Sequence, residues 1–507
     1  MTRRTRQIVA AVLVPFALFV AMLAWGVSSP QGSSPDEDYH MGSIWCANGP
    51  TEGRCETTES ERVRVLPEEL AEAAQCYAFQ PEQSASCPLD EDAMSRTERG
   101  NWVDNGYPPV FYGVMKYFVT DDVAVSILMM RAFNALLFVG SLCALFFLLP
   151  LRMRPNLVWS ALIGIVPLGM FLIPSANPSS WAILQASGLW LAVWGFFEQT
   201  GRKKVGLAVL ATVLMIIGAG ARSDSAAYGL VALAVAIVLA FRPTRKFWLE
   251  MILPAGLAVI AASLFLTSGQ SGVLVSASES GEVPFTSLLF SNLQELPQLW
   301  IGSLGFWGLG WLDTMMPTLV WSTTLGLFAA IAFWGLRRGN GRKWLALAGV
   351  VAALIVVPLY ILMREGIMVG SGVQPRYIYP LLIMLGGVAL VGLREAALGL
   401  SRMQVGVVAV GLAGANSLAL HTNLRRYITG DDVTGINLDI NIEWWWNSPI
   451  SPMGIWILGS VAFALTLGGL VWYSWESIAR TTPRARWRNE DVFAVEPTHP
   501  EAIIAER

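Results

Sequence analysis

The sequence predicts an all-α integral membrane protein with about twelve transmembrane helices. Of its 507 residues, 54% are hydrophobic and only 14% are charged, whereas soluble domains carry about 25% charged residues. Its apolar segments approach the roughly 20 residues that a helix needs to cross the hydrocarbon layer. Basic residues occur in every second connection between these segments, as the positive-inside rule requires of a multi-pass protein. The net charge of −3 gives no reason to expect a nucleic-acid partner.

Twelve apolar runs carry the prediction of the fold. They lie at 8–27, 131–150, 157–174, 178–197, 205–221, 224–241, 247–266, 318–336, 344–363, 377–393, 404–420 and 454–473. The first run follows three arginines, a pattern that secretory signal peptides share. Its length, and the lack of a convincing small-residue cleavage site before Pro35, favour a retained first helix.

The basic connections set the expected orientation. They contain Arg3, Arg4 and Arg6; Arg152 and Arg154; Arg202, Lys203 and Lys204; Arg242, Arg245 and Lys246; Arg337, Arg338, Arg342 and Lys343; Arg394 and Arg402; and Arg480, Arg484, Arg486 and Arg488. Such loops stay on the cytoplasmic side. We therefore expect a cytoplasmic N-terminus at 1–7, a polytopic membrane domain at 8–473 and a cytoplasmic polar tail at 474–507.

Three long connections fall on the opposite, extracytoplasmic side, at 28–130, 267–317 and 421–453. Because loops on a rigid scaffold tend to carry function, the chemistry is expected there. The first loop is acidic and has helix-forming character around Pro67–Cys76, which is typical of a small lid or an amphipathic domain. The segment Phe285–Asp313 is interpreted as an interfacial or re-entrant helix.

Four of the five cysteines, Cys46, Cys55, Cys76 and Cys87, lie in this first loop. An oxidising compartment makes disulfides the natural interpretation, and the spacings lack the Cys-x-x-Cys pair typical of a zinc site. Four cysteines allow three connectivities. Neighbour pairing is predicted, Cys46 with Cys55 and Cys76 with Cys87, because it closes the shortest loops.

The densest polar cluster directly follows the first apolar run, at Pro35–His40. Composition alone is equally typical of an acidic juxtamembrane loop. A second group, Asn105–Tyr112, precedes the second run and brings Tyr107 and Tyr112 back to the same membrane surface. The two ends of the first loop are therefore expected to meet.

Further ionisable groups occur where the outer loops enter the bundle. Charges at membrane depth cost roughly 2.5–3.5 kcal/mol on insertion scales, so they are usually paired or functional. Arg131 begins the second run, and Arg222 and Asp224 are close enough in sequence to pair with each other. Arg376 has no near opposite charge except Glu365, which favours an anionic ligand. The pair Trp444 and Trp445 is interpreted either as an interfacial anchor or as a stacking surface for a sugar or lipid.

These residues resemble the multi-pass GT-C glycosyltransferases, which use polyprenyl-phosphate sugars outside the cytoplasm and carry an acidic motif just after the first span. Here that motif corresponds to Asp36-Glu37. The segments at 35–40 (Pro-Asp-Glu-x-x-His), 107–112 (Tyr-Pro-Pro-x-Phe-Tyr), 177–179 (Asn-Pro-Ser) and 374–380 (Gln-x-Arg-Tyr-x-x-Pro) are similar to an uncharacterised bacterial family of predicted membrane proteins often grouped with those enzymes. The resemblance covers about residues 5–475 and implies a location in the bacterial plasma membrane. The cysteines and the insertion at 46–100 depart from the superfamily pattern.

The resemblance implies that a sugar moves, with inversion, from a polyprenyl-phosphate donor to a glycan, lipid or protein acceptor of the cell envelope. Asp36 is then the general base, with Glu37 and His40 assisting. Donor phosphate would be held by Arg376, Arg222 and Arg131. The acceptor and sugar would contact the polar and aromatic set Asp38, Tyr107, Tyr112, Asp224, Trp444 and Trp445.

Two questions remain open from the sequence. No cofactor is certain, and a divalent cation, Mg²⁺ or Mn²⁺, held by Asp36 and Glu37 is an option. A transporter or flippase for lipid-linked saccharides, or a non-catalytic scaffold, is the alternative function. A transporter is expected to place charges near the bilayer midplane and often to show internal repeats, neither of which the sequence shows.

Overall fold

The computed structural model describes residues 3–90, 92–269 and 284–481. The predicted cytoplasmic tail therefore lies outside the described residues from 482 onward, as does part of the second outer loop, at 270–283. Each of the twelve predicted apolar runs coincides with helix.

Nine helical segments within the described residues are long and apolar enough to cross a membrane. They are α1 (Arg3–Val27), α5 (Val123–Leu148), α8 (Ser179–Glu198), α10 (Ser223–Ala240), the continuous pair α11 (Arg245–Glu250) and α12 (Ile252–Leu266), α15 (Thr318–Leu336), α16 (Gly341–Glu365), α18 (Arg402–Ile428) and α19 (Pro452–Thr481). The predicted all-α membrane fold is confirmed. Its orientation in the membrane stays a prediction.

The other three apolar runs form helices that are shorter or more polar. The run at 157–174 is divided into α6 (Arg154–Gly164) and α7 (Leu168–Leu172), which are separated by a segment containing Pro167. Helix α9 (Gly201–Ala219) begins with three basic residues, and α17 (Pro375–Ala389) has only 15 residues. Such short or interrupted helices are tolerated at membrane depth where surrounding protein satisfies the backbone.

Helix α8 is the centre of the bundle. Most of its length is buried, and it packs against α5, α9, α10 and α17. Helix α1 packs mainly along α19, which in turn contacts α18. Glycines permit close approach at several of these contacts. A Cβ on Gly188 of α8 would lie 2.9 Å from a methyl group of Leu214 in α9, closer than a packed core tolerates.

Ion pairs of one glutamate with arginines from two basic connections identify one end of the bundle. Glu198, at the end of α8, accepts from Arg152 and, at 2.7 Å, from Arg242, so three of the predicted cytoplasmic connections meet. At this end Arg337 also donates to the carbonyl of Leu398 at 2.7 Å. The ends of α1, α9 and α16 and the starts of α5, α8, α10 and α17 lie at the opposite end, where the candidate site forms.

The first long loop, interpreted from the sequence as a small lid or an amphipathic domain, folds into a small structured layer with a sheet that was not predicted. It contains α2 (Glu37–Trp45), β1 (Glu56–Thr57), β2 (Arg64–Pro67), α3 (Glu68–Ala71), β3 (Met94–Thr97) and α4 (Val110–Met115). The strands form an antiparallel sheet in the order β1-β2-β3, with Val65 opposite Arg96. The helical character expected around Pro67–Cys76 is limited to the single turn of α3.

Both predicted disulfides are confirmed. Cys46, which caps the end of α2, is bonded to Cys55, and Cys76 is bonded to Cys87. Cys143 is a free cysteine in α5. The first bond anchors the loop before β1 to the end of α2, the helix that follows Asp36.

The loop at 267–317, predicted to be extracytoplasmic, contains α13 (Phe285–Glu295) and α14 (Pro297–Gly302), followed by irregular chain up to α15. Its Asp313 forms a buried ion pair with Arg426 at the end of α18, at 2.9 Å. Arg426 also donates to the carbonyls of Tyr77 and Gln83 in the first loop. This contact fastens the two outer loops to each other and to the bundle.

Candidate functional site

The chain that leaves α1 turns sharply at Asp36 before α2 begins. Asp36 has a φ of 61°, in the left-handed region that few non-glycine residues adopt, although aspartate and asparagine do so more readily than most. Its carbonyl accepts from the backbone N–H of His40 at 3.1 Å. The turn separates the side chain of Asp36 from that of Glu37, so the two adjacent carboxylates contact different arginines.

Asp36 is joined to Arg376, 340 positions later in the sequence. Arg376 Nη2 donates to Asp36 Oδ2 at 2.5 Å and to the hydroxyl of Tyr377 at 3.2 Å, while Nη1 donates to the carbonyl of Pro35 at 2.6 Å. The same carbonyl accepts from Asn177 Nδ2 at 2.7 Å. The segments at 35–40, 177–179 and 374–380 are thus brought together at one point.

Arg99 is a site residue that sequence reasoning missed. It follows strand β3, and its Nε donates to Asp38 at 2.5 Å while its Nη2 lies 3.5 Å from Asp36 Oδ1. Burial raises the pKa of the Asp36 carboxyl. The positive charge of Arg376, with smaller contributions from His40 and Arg99, lowers it by more than burial raises it, so the pKa lies below the ordinary value. Asp36 is therefore ionised at neutral pH.

Glu37 and Arg131 form a separate, enclosed pair. Arg131 Nη2 donates to Glu37 Oε2 at 3.1 Å, and its guanidinium also donates to the carbonyls of Gly26, Ser29 and Pro30. Glu37 further accepts from the backbone N–H of Ala176 at 2.8 Å. The geometry argues against the catalytic role predicted for Glu37 and the phosphate-binding role predicted for Arg131, because both side chains are enclosed and engaged in positioning the backbone.

His40 packs among three tyrosines, Tyr39, Tyr107 and Tyr112, where the end of the first loop contacts α2. Its Nδ1 is 3.0 Å from the hydroxyl of Tyr112, and its ring packs edge-on against Tyr107 at 4.8 Å and Tyr39 at 5.3 Å. Burial lowers the pKa of His40 well below its ordinary value, opposed in part by the charge of Asp36. The ring is therefore neutral near pH 7. The expected meeting of the two ends of the loop is observed.

Asn101 fixes this closure. Its side chain accepts from the backbone N–H of Tyr107 at 2.8 Å and from the hydroxyl of Tyr39 at 3.2 Å, and donates to the carbonyl of Tyr107. Its own N–H donates to Ser43 on α2 at 2.8 Å. Asn101 follows Arg99 closely, so the closure also sets the position of that arginine.

Arg222 and Asp224 pair with each other, the plainer of the sequence interpretations. The contact is bidentate, with Nε donating to Oδ1 at 2.9 Å and Nη2 to Oδ2 at 2.7 Å. Arg222 Nη1 donates to Ser179 at 3.2 Å. The ring of Tyr377 lies 5.1 Å from the guanidinium of Arg222 and 5.0 Å from that of Arg376, so both cations contact the same ring.

We call the charged residues at this end of the bundle the ionic cluster; its members are Asp36, Asp38, Arg99, Arg222, Asp224 and Arg376. Each of its carboxylates is held by an arginine. Its exposed members are Arg99 and, to about a third or a quarter of the side chain, Asp36 and Asp224. A ligand would therefore meet these groups first.

The tryptophans predicted to bind substrate, Trp444 and Trp445, contact residues outside the ionic cluster. Trp444 packs with Tyr427 and the Cys76–Cys87 region, and Trp445 donates to the carbonyl of Ile450 at 3.0 Å. Trp446 donates to the carbonyl of Val27 at 2.7 Å, at the end of α1. These contacts fit an anchoring role at the end of the bundle better than a place in the ionic cluster.

A metal site built on Asp36 and Glu37 fits the geometry poorly. Both carboxylates already accept from arginines, and Glu37 is fully buried against Arg131. Within the part of the chain that the structure describes, there is no group of three or more His, Cys, Asp or Glu residues arranged to hold a metal ion. The divalent cation stays a prediction without support from these residues.

Comparison with known proteins shows a family match and a distant structural likeness. A family model described as "Predicted membrane protein (DUF2142)" matches residues 18–385, a range that contains the whole ionic cluster. No curated protein matches the chain. The crystal structure of ArnT from Cupriavidus metallidurans bound to undecaprenyl phosphate aligns with a TM-score of 0.41 and 14% identity, over 92% of this chain and 77% of that chain. A likeness of that size carries no functional conclusion.

Proposed function

The chain belongs to the DUF2142 family of predicted membrane proteins, and we propose that its ionic cluster is the active centre of a membrane glycosyltransferase. The enzyme would transfer a sugar from a polyprenyl-phosphate donor to a glycan, lipid or protein acceptor of the cell envelope, on the extracytoplasmic face of the plasma membrane. The sequence resemblance to GT-C enzymes suggests this chemistry, and the arrangement of the cluster supports it.

One observation carries the proposal: a partly exposed carboxylate, Asp36, lies beside the guanidinium of Arg376 at the end of a helical bundle. The reaction needs a base for the acceptor hydroxyl and positive charge for the departing phosphate. Asp36 would take the hydroxyl proton while the acceptor oxygen bonds to the anomeric carbon. The bond from that carbon to the phosphate oxygen breaks, and polyprenyl phosphate leaves. This single displacement inverts the anomeric centre.

The surrounding residues would divide the remaining tasks. Arg376 would hold the phosphate, because guanidinium matches its oxygens in a bidentate contact. Arg222, whose Nε and Nη2 are held by Asp224, would add positive charge nearby. The rings of Tyr107 and Tyr377 line the same region and offer apolar faces to a sugar. Glu37 and Arg131 would act only by positioning Asp36.

The direct test compares a deletion strain with its parent and with strains that express the wild type or Asp36→Asn. We expect polyprenyl-phosphate sugar to accumulate in the deletion strain and one envelope glycan to lose a residue. The wild type should restore both, and Asp36→Asn neither. Unchanged lipid-linked sugars and glycans in the deletion strain would refute the proposal. Accumulation of the lipid-linked sugar on the cytoplasmic face alone would instead indicate a flippase.

A further inference from the structure

Arg376 and Arg222 each donate to an aspartate, but they use different numbers of guanidinium nitrogens to do so. In Arg222 both donors of one edge, Nε and Nη2, are taken by Asp224. In Arg376 only Nη2 reaches Asp36, and among the described residues Nε is buried without a hydrogen-bond partner. Nε–H and the neighbouring Nη2 form the fork that binds carboxylate or phosphate bidentately. The fork of Arg376 is half filled.

An unpartnered, buried N–H is costly and calls for an explanation. Within the described residues five other arginines have such an Nε: Arg131, Arg154, Arg364, Arg425 and Arg426. Of these, Arg131 and Arg426 also hold a carboxylate, but their partners, Glu37 and Asp313, are 0% and 4% exposed. Asp36, in contrast, is 35% exposed. Of these three arginines, Arg376 is thus the one whose partner carboxylate is open to a ligand.

The third guanidinium nitrogen of Arg376, Nη1, contacts the backbone instead of a carboxylate. Nη1 donates to the carbonyl of Pro35, which Asn177 also holds. The backbone next to Asp36 is thus fixed by contacts that do not involve the carboxylate. Asp36 can leave Nη2 without release of the turn, and Arg99, 3.5 Å from its other oxygen, remains as a partner.

We propose that the anionic group of the ligand displaces Asp36 from Arg376 by taking the Nε and Nη2 fork, so that Asp36 becomes free to act only when the anion is bound. This inference rests on the proposed function, since it assigns the anion to the donor phosphate. It makes Arg376 a shared partner for which the base and the phosphate compete. It also gives Arg222 a supporting role, because Asp224 saturates its fork.

The release has a chemical consequence for the base. The charge of Arg376 helps to hold the pKa of Asp36 below its ordinary value, and a low pKa makes a poor proton acceptor. Once a phosphate neutralises Arg376, this effect weakens and the carboxylate becomes a better base.

The test is a double-mutant cycle on donor affinity, using full-length protein in nanodiscs and farnesyl phosphate as the probe, with farnesol as the neutral control. The variants are Asp36→Asn, Arg376→Gln and the double variant. Asparagine tolerates the left-handed backbone of position 36, so the turn should persist. The thermal unfolding temperature and the monodispersity of each variant are measured as well, to check that all the proteins compared are folded.

We expect Asp36→Asn to bind farnesyl phosphate roughly tenfold more tightly than the wild type, within the range measured for coupled neighbouring residues. In the Arg376→Gln background the same change should alter affinity less than about twofold. Asp121→Asn removes an equal charge from an exposed pair with Arg54 in the same loop, and it should leave affinity unchanged.

Several outcomes would overturn the inference. An equal gain in both backgrounds would mean that Asp36 acts only through its long-range field, and weaker binding by Asp36→Asn would mean that Asp36 helps to hold the ligand. Either result leaves the proposed function standing. If the wild type binds farnesyl phosphate no better than farnesol, the proposed function fails, and the inference fails with it.

Discussion

Glu37 and Arg131 form an ion pair in which neither side chain is more than 3% exposed, with Oε2 and Nη2 3.1 Å apart. Breaking an enclosed pair leaves an uncompensated charge and typically costs about 3–5 kcal/mol. We therefore expect Arg131→Met to lower the unfolding temperature of the purified protein strongly. Arg54→Gln is the matched control, because its pair with Asp121 is exposed and should contribute about 1 kcal/mol or less. Equal effects of the two changes would contradict a positioning role for the buried pair.

Asp36→Asn should abolish most of the transfer activity. A general base contributes roughly 10²–10⁴-fold to the rate, and asparagine keeps the shape of the side chain while removing the basic oxygen. Measured as turnover in nanodiscs, kcat should fall while KM for the donor stays the same or decreases. Asp38→Asn is the comparison, because Asp38 contacts Arg99 and not Arg376, and its loss should be milder. A stable Asp36→Asn protein with near-normal turnover would remove Asp36 from catalysis.

His40 should make the stability of the outer site sensitive to acid. Its pKa is lowered in the folded protein by burial, so below about pH 6.5 the unfolded chain binds a proton that the folded one does not. The free energy of unfolding should therefore decrease as pH falls below 6.5, by up to about 1.4 kcal/mol for each pH unit. Thermal unfolding between pH 7.5 and 5 should show this slope in the wild type and a smaller one in His40→Gln. Identical slopes would show that His40 is not the group responsible.

The predicted orientation can be tested with two cysteine substitutions of similar exposure at opposite ends of α5. Tyr117 is 80% exposed before this helix, and Leu151 is 73% exposed after it. A membrane-impermeant maleimide should label Tyr117→Cys in intact cells and Leu151→Cys only after lysis, with the parent protein giving the background. The reverse pattern would invert the assignment of inside and outside.

Much of the fold could be predicted because it depends on local physical properties of the chain. Apolar length locates the helices, and alternating basic loops predict which connections share an end, as the pairs of Glu198 with Arg152 and Arg242 confirm. The pairing of sequence neighbours, which closes the shortest loops, predicted both disulfides. The division of the run at 157–174 into α6 and α7 was missed, because mean hydropathy does not register a local interruption of helix.

The candidate site was predictable only in part. The motif segments indicated Asp36, Arg376 and the tyrosines, and the structure brings these together. Arg99 gave no signal, because one arginine among many in a charged loop acquires its position from the register of strand β3 and from Asn101. The different surroundings of Asp36 and Glu37 depend on a backbone turn with φ of 61°, which the pattern Asp-Glu-Asp does not encode.

The 340-residue separation between Asp36 and Arg376 orders events during biosynthesis. At 5–20 residues per second, Asp36 emerges from the ribosome roughly 17–70 s before its partner. During that time Asp36 lacks Arg376, and with it the fork that is proposed to bind the phosphate. A nascent or truncated chain that ends before α17 therefore carries the proposed base without its proposed phosphate-binding arginine. Competence for the proposed chemistry therefore requires that synthesis has passed the start of α17, after which α18 and α19 are still to be made.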